Sequence, residues 1–148
     1  MSPLPTGASK RIYVAGPMQN IPEFNFPLFN AVANYYRANG HTVFNPAEKD
    51  IERHGGTNIS AGNATGDINA AKKDHGFSLR QALAEDTNFI CLEADTIVML
   101  PGWEKSNGAQ AEHRLAVALQ SEGMKIEYLP ADFATALVAL YRDQKHAA

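Results

Sequence analysis

The chain has 148 residues, of which 45 % are hydrophobic and 20 % charged, a composition typical of one soluble globular domain. Its formal net charge of −3 excludes the basic surface on which nucleic-acid-binding and anionic membrane-binding proteins rely. No apolar run is long enough to span a bilayer, and residues 1–7 lack the apolar core of a signal peptide. A single cysteine excludes an internal disulfide and fits a reducing compartment, so we expect a cytoplasmic protein.

Short apolar runs and helical repeats alternate along the sequence. A strand is predicted where four or five mainly apolar residues are followed by proline or glycine. A helix is predicted where apolar residues recur at spacings of three and four behind a capping residue. In chain order, the prediction is a loose lead-in over 1–9, a strand over 11–15, a helix from about Asn25 to Gly40, a strand over 41–45, an irregular segment over 46–77, a helix from Ser78, a strand over 96–100, a helix from Gly108 to about Glu122, a strand over 125–129 and a closing helix through Tyr141.

This alternation predicts an α/β fold with a parallel sheet and helices on both faces, of the flavodoxin or Rossmann type. We expect residues 1–148 to form one such domain. In sheets of this kind the ligand lies beyond the carboxyl ends of the strands. The candidate substrate contacts that follow the predicted strands at this edge are Gly16, Pro17, Asn45, Gly102 and Trp103. The sequence leaves two roles open for Trp103: it stacks on a base, or it anchors its loop on the edge of the sheet.

The segment 46–77 carries several glycines and asparagines and few large apolar residues. An irregular segment of this length inside a domain is usually functional or disordered. Its place after a strand end favours an active-site lid. The alternative is a short extra helix around 67–74 without a role in chemistry, and the sequence leaves both open.

The stretch from Thr96 to Glu112 has the pattern of a strand, a turn and a helix. Pro101 and Gly102 break the strand, and small residues stand where the helix begins. The free N–H groups and the positive dipole end of such a helix suit a phosphate. The predicted substrate contacts at this helix start are Ser106, Asn107, Gly108 and Ala109, and the side chains of Ser106 and Asn107 are placed to contact the anion.

Two acids occupy apolar helix stripes, Glu112 on the helix after the turn and Asp86 on the helix before it. A buried carboxylate needs a reason, because burying an unpaired charge is costly. We expect the helix dipole to keep Glu112 ionised as a nucleophile, while burial and the charge of Glu112 raise the pKa of Asp86 so that it serves as an acid. Such a pair can cleave a glycosidic bond. The alternatives are that Asp86 pairs with Arg80 or another basic residue, and that Glu112 is solvated.

Four segments resemble the nucleoside 2-deoxyribosyltransferase-like superfamily, which includes small phage and bacterial proteins of unassigned function. They are residues 13–18, 40–48, 85–95 and 101–112. The last is the most specific, and its Pro-Gly-x-x-x-Ser-x-Gly loop is especially similar to that of cytidylate-type N-glycosidases.

The resemblance implies roles for individual residues. The position that forms a covalent glycosyl-enzyme intermediate falls on Glu112, the second catalytic carboxylate on Asp86, and a tyrosine near the sugar on Tyr13. Transferases acting on free nucleosides often carry an acid at the position of Ser106, whereas relatives that hydrolyse nucleoside 5′-monophosphates carry a serine that contacts phosphate.

The leading hypothesis is therefore a nucleotide N-glycosidase that acts on a (deoxy)nucleoside 5′-monophosphate. The alternatives are a deoxyribosyltransferase on free nucleosides and a non-catalytic nucleotide-binding sensor. We expect a small-molecule partner, no nucleic acid, no membrane, no cofactor and no metal. The resemblance further implies a homodimer or a larger homo-oligomer.

Overall fold

A four-stranded parallel sheet with the order β2-β1-β3-β4 forms the centre of the computed structural model, which describes residues 8–147. Most of the predicted lead-in over 1–9 lies outside the described residues. The elements are β1 Arg11–Ala15, α1 Phe26–Ala38, β2 Thr42–Phe44, α2 Pro46–Arg53, α3 Ile68–His75, α4 Leu79–Leu92, β3 Thr96–Met99, α5 Asn107–Ala118, β4 Lys125–Tyr128 and α6 Ala131–Ala147. Within that range, none of the helices is long and apolar enough to cross a membrane.

The two central strands, β1 and β3, are apolar on both faces because helices cover both sides of the sheet. Ile12 and Val14 face a core that includes residues of α1 and α6. Tyr13 and Ala15 face the opposite core, which includes residues of α4 and α5. The predicted α/β architecture is thereby confirmed, and the strand period of two directs Tyr13 toward α4 and α5.

The loops after β1 and β3 approach each other closely at the carboxyl edge. Gly16 follows β1, and a Cβ atom at this position would lie 2.7 Å from the Cβ atom of Leu100, just after β3. Real side-chain carbons do not come so close, so only glycine fits here. Gly16 therefore lets the two loops that carry the predicted contacts share one edge.

The prediction that residues 46–77 are irregular was wrong for the first quarter of the segment, because Pro46–Arg53 form α2. Proline was interpreted as the end of a strand, but it also fits the first turn of a helix, where its missing N–H is not needed. The Asn45 side chain caps this helix by accepting a hydrogen bond from the Ala47 N–H. Farther along, α3 forms where the alternative placed a short helix, capped by Asp67. A lid function for the segment stays a prediction.

Residues 18–25 are held against the loop before α3. The Asn20 N–H donates to the Gly66 carbonyl at 2.8 Å, and the Glu23 N–H donates to the Asn63 carbonyl at 2.9 Å. Glu23, Phe24 and Asn25 are left-handed, with φ between 51° and 61°. Asn25 precedes α1 as predicted, but its side chain donates to the Pro17 carbonyl and does not cap the helix.

The other predicted boundaries differ little from the observed ones. Ser78 caps α4 by accepting from the Gln81 N–H, as predicted. The helix that was predicted to begin after Gly108 begins at Asn107. Its last turn, Leu119–Glu122, is a 3-10 helix that ends at the left-handed Gly123.

The contact between residues 18–25 and the loop before α3 can be tested with a matched pair of glycine substitutions. Gly66 and Gly56 are both left-handed, but an added Cβ would lie 2.1 Å from the Ile21 carbonyl oxygen at Gly66 and would meet nothing within 4 Å at Gly56. We expect Gly56→Ala to lower the free energy of unfolding by about 1–2 kcal/mol through backbone strain. Gly66→Ala should cost roughly 1–3 kcal/mol more because the Ile21 backbone must move. Urea unfolding of both variants checks this, and equal losses would contradict the contact.

Candidate functional site

A cavity of about 820 Å³ lies at the carboxyl edge of the sheet. Its walls come from the loops after β1 and β3, from α2, α4 and the start of α5, and from the segment between α2 and α4. All of the predicted site residues except Asn45 and Trp103 line it, namely Tyr13, Gly16, Pro17, Asp86, Gly102, Ser106, Asn107, Gly108, Ala109 and Glu112. The structure thus brings residues from distant parts of the sequence to one enclosed space.

Tyr13 lies at the centre of the site. It is 1 % exposed, and its ring packs against Phe44 and Phe89. Its hydroxyl donates a hydrogen bond of 2.5 Å to Oε2 of Glu112. Burial and the neighbouring charges of Glu112 and Asp86 raise the pKa of Tyr13, so the phenol keeps its proton and serves as a donor.

Glu112 is buried on the inner face of α5 between Ala109 and Ala116, with 5 % of its surface exposed. Burial raises the pKa of Glu112 to about 8, the Tyr13 hydrogen bond opposes this rise, and Asp86 and Asp50 add to it. Burial therefore opposes the ionisation of Glu112 that the helix dipole was expected to support. The reason is that desolvation disfavours the charged form more strongly than one phenol stabilises it.

Asp86 is 6 % exposed on the inner face of α4. As predicted, burial raises its pKa, here to about 6. Arg53 limits the rise, because its Nη2 donates to Oδ1 of Asp86 at 3.1 Å. The alternative that Asp86 pairs with a basic residue is thus correct, but the partner is Arg53 and not Arg80.

A third buried acid, Asp50, was missed from the sequence. It lies on α2, is 4 % exposed, lines the cavity and accepts a hydrogen bond of 2.5 Å from Nη1 of Arg53. Burial raises the pKa of Asp50 to about 7, although Arg53 opposes this. The available signal was an acid and an arginine at i and i+3 just after a strand end, but it has meaning only on a helix, and α2 was not predicted.

The cavity wall therefore holds three carboxyl groups, and the buried guanidinium of Arg53 contacts two of them, Asp50 and Asp86. Burial raises the pKa of each of the three acids, so their full ionisation at neutral pH is disfavoured. Of Asp86 and Glu112, Glu112 binds its proton more tightly, with a pKa of about 8 against about 6. Two carboxyl groups of unequal proton affinity are the arrangement that glycosidic bond cleavage uses. Among the described residues, no group of three or more His, Cys, Asp or Glu side chains could hold a metal ion.

The start of α5 forms another wall of the cavity. The Ser106 side chain caps the helix by accepting from the Ala109 N–H at 3.2 Å, and its carbonyl accepts from the Gln110 N–H. The first two N–H groups of the helix, those of Asn107 and Gly108, have no acceptor within it. These groups and the helix dipole can bind an anion that enters the cavity.

Two predicted contacts lie outside the cavity. Asn45 is fully buried, donates to Oδ1 of Asn30 and caps α2, so its amide is already used. Trp103 stacks on the His113 ring at a centroid distance of 4.2 Å and lies 6.1 Å from the Tyr128 ring. Of the two alternatives for Trp103, the loop anchor fits this position, because an indole packed on α5 and β4 is not placed to stack on a base in the cavity.

The raised pKa values predict how stability depends on pH. Asp50, Asp86 and Glu112 bind protons more tightly in the folded than in the unfolded chain, so the free energy of unfolding should fall as pH rises from about 4 to about 8. Glu112 accounts for roughly 4–5 kcal/mol of this fall in the free energy of unfolding. Glu112→Gln keeps an oxygen that can accept from Tyr13 but has no titrating group at this position. Its free energy of unfolding should therefore fall less with rising pH than that of the wild-type protein.

Urea unfolding at pH 5 and pH 9 measures this difference. The matched control is Glu122→Gln, at an exposed position. Between pH 5 and pH 9 this variant should lose as much stability as the wild-type protein. An equal fall in the wild-type protein and in Glu112→Gln would contradict the raised proton affinity of Glu112.

The comparisons with known proteins give a family and no activity. No curated protein and no solved structure matches the chain. Residues 10–128 match the family described as "Domain of unknown function (DUF4406)". The matched segment runs from the start of β1 to the end of β4 and includes Tyr13, Asp86 and Glu112. The chain therefore belongs to the DUF4406 family.

Proposed function

We propose that the protein cleaves the N-glycosidic bond of a (deoxy)nucleoside 5′-monophosphate and releases the free base. The observation that carries this proposal is that Glu112 and Asp86, from two different helices, are both buried in the wall of one cavity beside the same phenol, Tyr13. A surface ion pair or a solvated helix acid would not be buried in this way.

In the proposed reaction the sugar lies over the two acids. The Glu112 carboxylate attacks C1′ of the sugar, and the bond from C1′ to the base nitrogen breaks. The electron pair of that bond leaves with the base, which takes a proton from Asp86. A glycosyl ester of Glu112 results, and a water molecule, deprotonated by Asp86, hydrolyses it to the free sugar phosphate and restores both acids.

This assignment requires a proton on the weaker of the two proton binders. Glu112 has the higher pKa, whereas the reaction needs the proton on Asp86. Moving a proton from Glu112, with a pKa of about 8, to Asp86, with a pKa of about 6, costs roughly 2–3 kcal/mol. Tyr13 supports the move, since its hydroxyl already donates to Glu112 and stabilises the carboxylate. The reaction needs one proton in total on Asp86 and Glu112, so activity should be highest at pH values between the titration midpoints of these two acids.

The helix start supports a phosphorylated substrate. The acidic part of the cavity repels a phosphate, whereas the free N–H groups of Asn107 and Gly108 attract it. The resemblance to the deoxyribosyltransferase-like superfamily supports the same choice, because Ser106 stands where relatives that hydrolyse nucleotides carry a serine. Every residue named here belongs to one chain, so the proposal does not depend on the homo-oligomer that the resemblance implies.

Free-base release measures the proposed activity directly. The wild-type protein is incubated with a panel of ribo- and deoxyribonucleoside 5′-monophosphates and the matching nucleosides, and the free base is separated by chromatography. We expect release from a monophosphate, with a bell-shaped pH profile whose limbs lie near pH 6 and pH 8. Glu112→Gln and Asp86→Asn should each reduce the rate at least about 100-fold.

The exposed variant Glu122→Gln should retain the wild-type rate. Equal rates on nucleosides and nucleotides would favour the deoxyribosyltransferase alternative, which exchange of one base for another would then support. Nucleotide binding without base release, unchanged by Glu112→Gln, would instead indicate the sensor. Wild-type rates in Glu112→Gln would rule out the proposed nucleophile.

A further inference from the structure

We propose that Arg53 is a positioning residue that fixes the Asp86 carboxylate in the cavity wall and holds it as the ionised member of the Asp86–Glu112 pair. This inference deepens the proposed function and rests on it for any effect on catalysis. It concerns α2, to which neither the proposed mechanism nor the resemblance gives a part.

The geometry of Arg53 shows how it could act. Its side chain is 9 % exposed and uses three separate nitrogen atoms: Nη1 donates to Asp50 at 2.5 Å, Nη2 donates to Asp86 at 3.1 Å, and Nε donates to Glu85. Asp50 lies on α2, whereas Glu85 and Asp86 lie on α4. Because a guanidinium is planar and rigid, partners on two helices fix its orientation. The Asp86 carboxylate is thereby held in place from outside the catalytic pair.

Asp86 and Glu112 differ in this contact. They are almost equally buried, at 6 % and 5 % exposed, and both lie near the Tyr13 hydroxyl. Arg53 donates to Asp86, whereas the hydrogen bond to Glu112 comes from the neutral Tyr13. A cation in contact with one of two similar acids favours ionisation of that acid. Arg53 therefore favours the charged form of Asp86 and leaves Glu112 as the acid that binds a proton more tightly.

The other groups near the pair act in both directions. Glu85 raises the proton affinity of Asp86, whereas Asp50 and Asp86 raise that of Glu112. The Tyr13 hydroxyl donates to Glu112 and opposes the rise there. Arg53 remains the one positive charge in contact with the pair among the described residues. The charged and titratable groups that surround Asp86 from the packed elements are Tyr13, Asp50, Arg53, Glu85 and Glu112.

Asp50 contacts Nη1 of Arg53, whereas Asp86 contacts Nη2, and the buried Asp50 limits the choice of variants. Removing the guanidinium alone would leave a buried, charged Asp50 without a partner, which would endanger folding. The variant Arg53→Gln is therefore combined with Asp50→Asn, which replaces the buried ion pair by two amides. Asp50→Asn alone is the matched reference, and Arg53→Lys tests whether a charge without the planar fork suffices.

The readout is the titration of the Asp86 carboxyl carbon, followed by NMR in protein with ¹³C-labelled aspartate. We expect the Asp86 midpoint in Arg53→Gln with Asp50→Asn to lie roughly one to three pH units above that in Asp50→Asn. Arg53→Lys keeps a positive charge but loses the planar fork, so its Asp86 midpoint should lie between that of the wild-type protein and that of the double variant. Arg80→Gln, an exposed substitution on α4, should not move it.

An Asp86 midpoint that is the same in the folded double variant as in Asp50→Asn would overturn the proposal. A second measurement needs no substitution. In a pH titration of the wild-type protein, the Arg53 guanidinium resonances should shift at the pH at which Asp86 titrates. If they shift only at the pH at which Glu112 titrates, the proposal is also overturned.

The kinetic consequence separates this inference from the proposed function. If the protein releases base, the acid limb of the pH profile should move upward with the Asp86 titration midpoint in the double variant, relative to Asp50→Asn, until that midpoint reaches the limb near pH 8 that Glu112 sets. Should wild-type protein release no base from any substrate in the panel, the proposed function fails, while the titration still decides the role of Arg53.

Discussion

Burial of three carboxyl groups, two of which contact one guanidinium, is the physical constraint on which the site depends. Water is largely excluded from Asp50, Asp86 and Glu112, so their full ionisation is costly and the pKa of each is raised. Arg53 opposes this rise at Asp86, and Tyr13 opposes it at Glu112. Two similarly buried acids, Asp86 and Glu112, therefore differ in proton affinity in part because one contacts a cation and the other a neutral phenol.

The fold makes this constraint possible. The strand period of two directs Tyr13 to the face of the sheet that α4 and α5 cover, so the phenol meets the inward faces of both helices. Gly16 permits the loops after β1 and β3 to share the carboxyl edge, where the free end of α5 also lies. A parallel sheet gathers its strand ends on one side, which explains how acids from separate parts of the sequence reach one cavity.

The residues over the cavity show a different kind of constraint. Three consecutive residues, Glu23, Phe24 and Asn25, are left-handed without being glycine, at a cost of about 1–2 kcal/mol each. Phe24 is buried and lines the cavity, and backbone hydrogen bonds hold the segment against residues 63–66. Strain of this kind persists only where surrounding contacts over-determine it, and it is common around functional sites.

The sequence predicts the strands well, because apolar runs that end in glycine or proline have few other interpretations. It also identifies Asp86 and Glu112, since an acid on an apolar helix stripe stands out from the periodicity. It does not predict α2, because Pro46 is compatible both with the end of a strand and with the first turn of a helix. Without α2, the pairing of Asp50 with Arg53 has no visible meaning. The order of proton affinities depends on burial and contacts between helices, which the sequence alone does not contain.

The position of Trp103 illustrates the same limit. An aromatic residue after a strand end can face the ligand or a neighbouring element, and the left-handed turn at Gly102 decides between them. Here the indole stacks on His113. Sequence reasoning placed the residue at the correct edge of the sheet and could not give the direction of its side chain.

The most direct test of the central claim is to trap the glycosyl ester. A 2′-fluoro-arabinonucleoside 5′-monophosphate slows the second step of a double displacement, because fluorine destabilises the positive charge that develops at C1′. After incubation, mass spectrometry of the intact protein and of its peptides should show one fluorinated sugar phosphate attached to the peptide that contains Glu112, and none in Glu112→Gln. Release of base without any adduct, or an adduct on Asp86, would contradict the account.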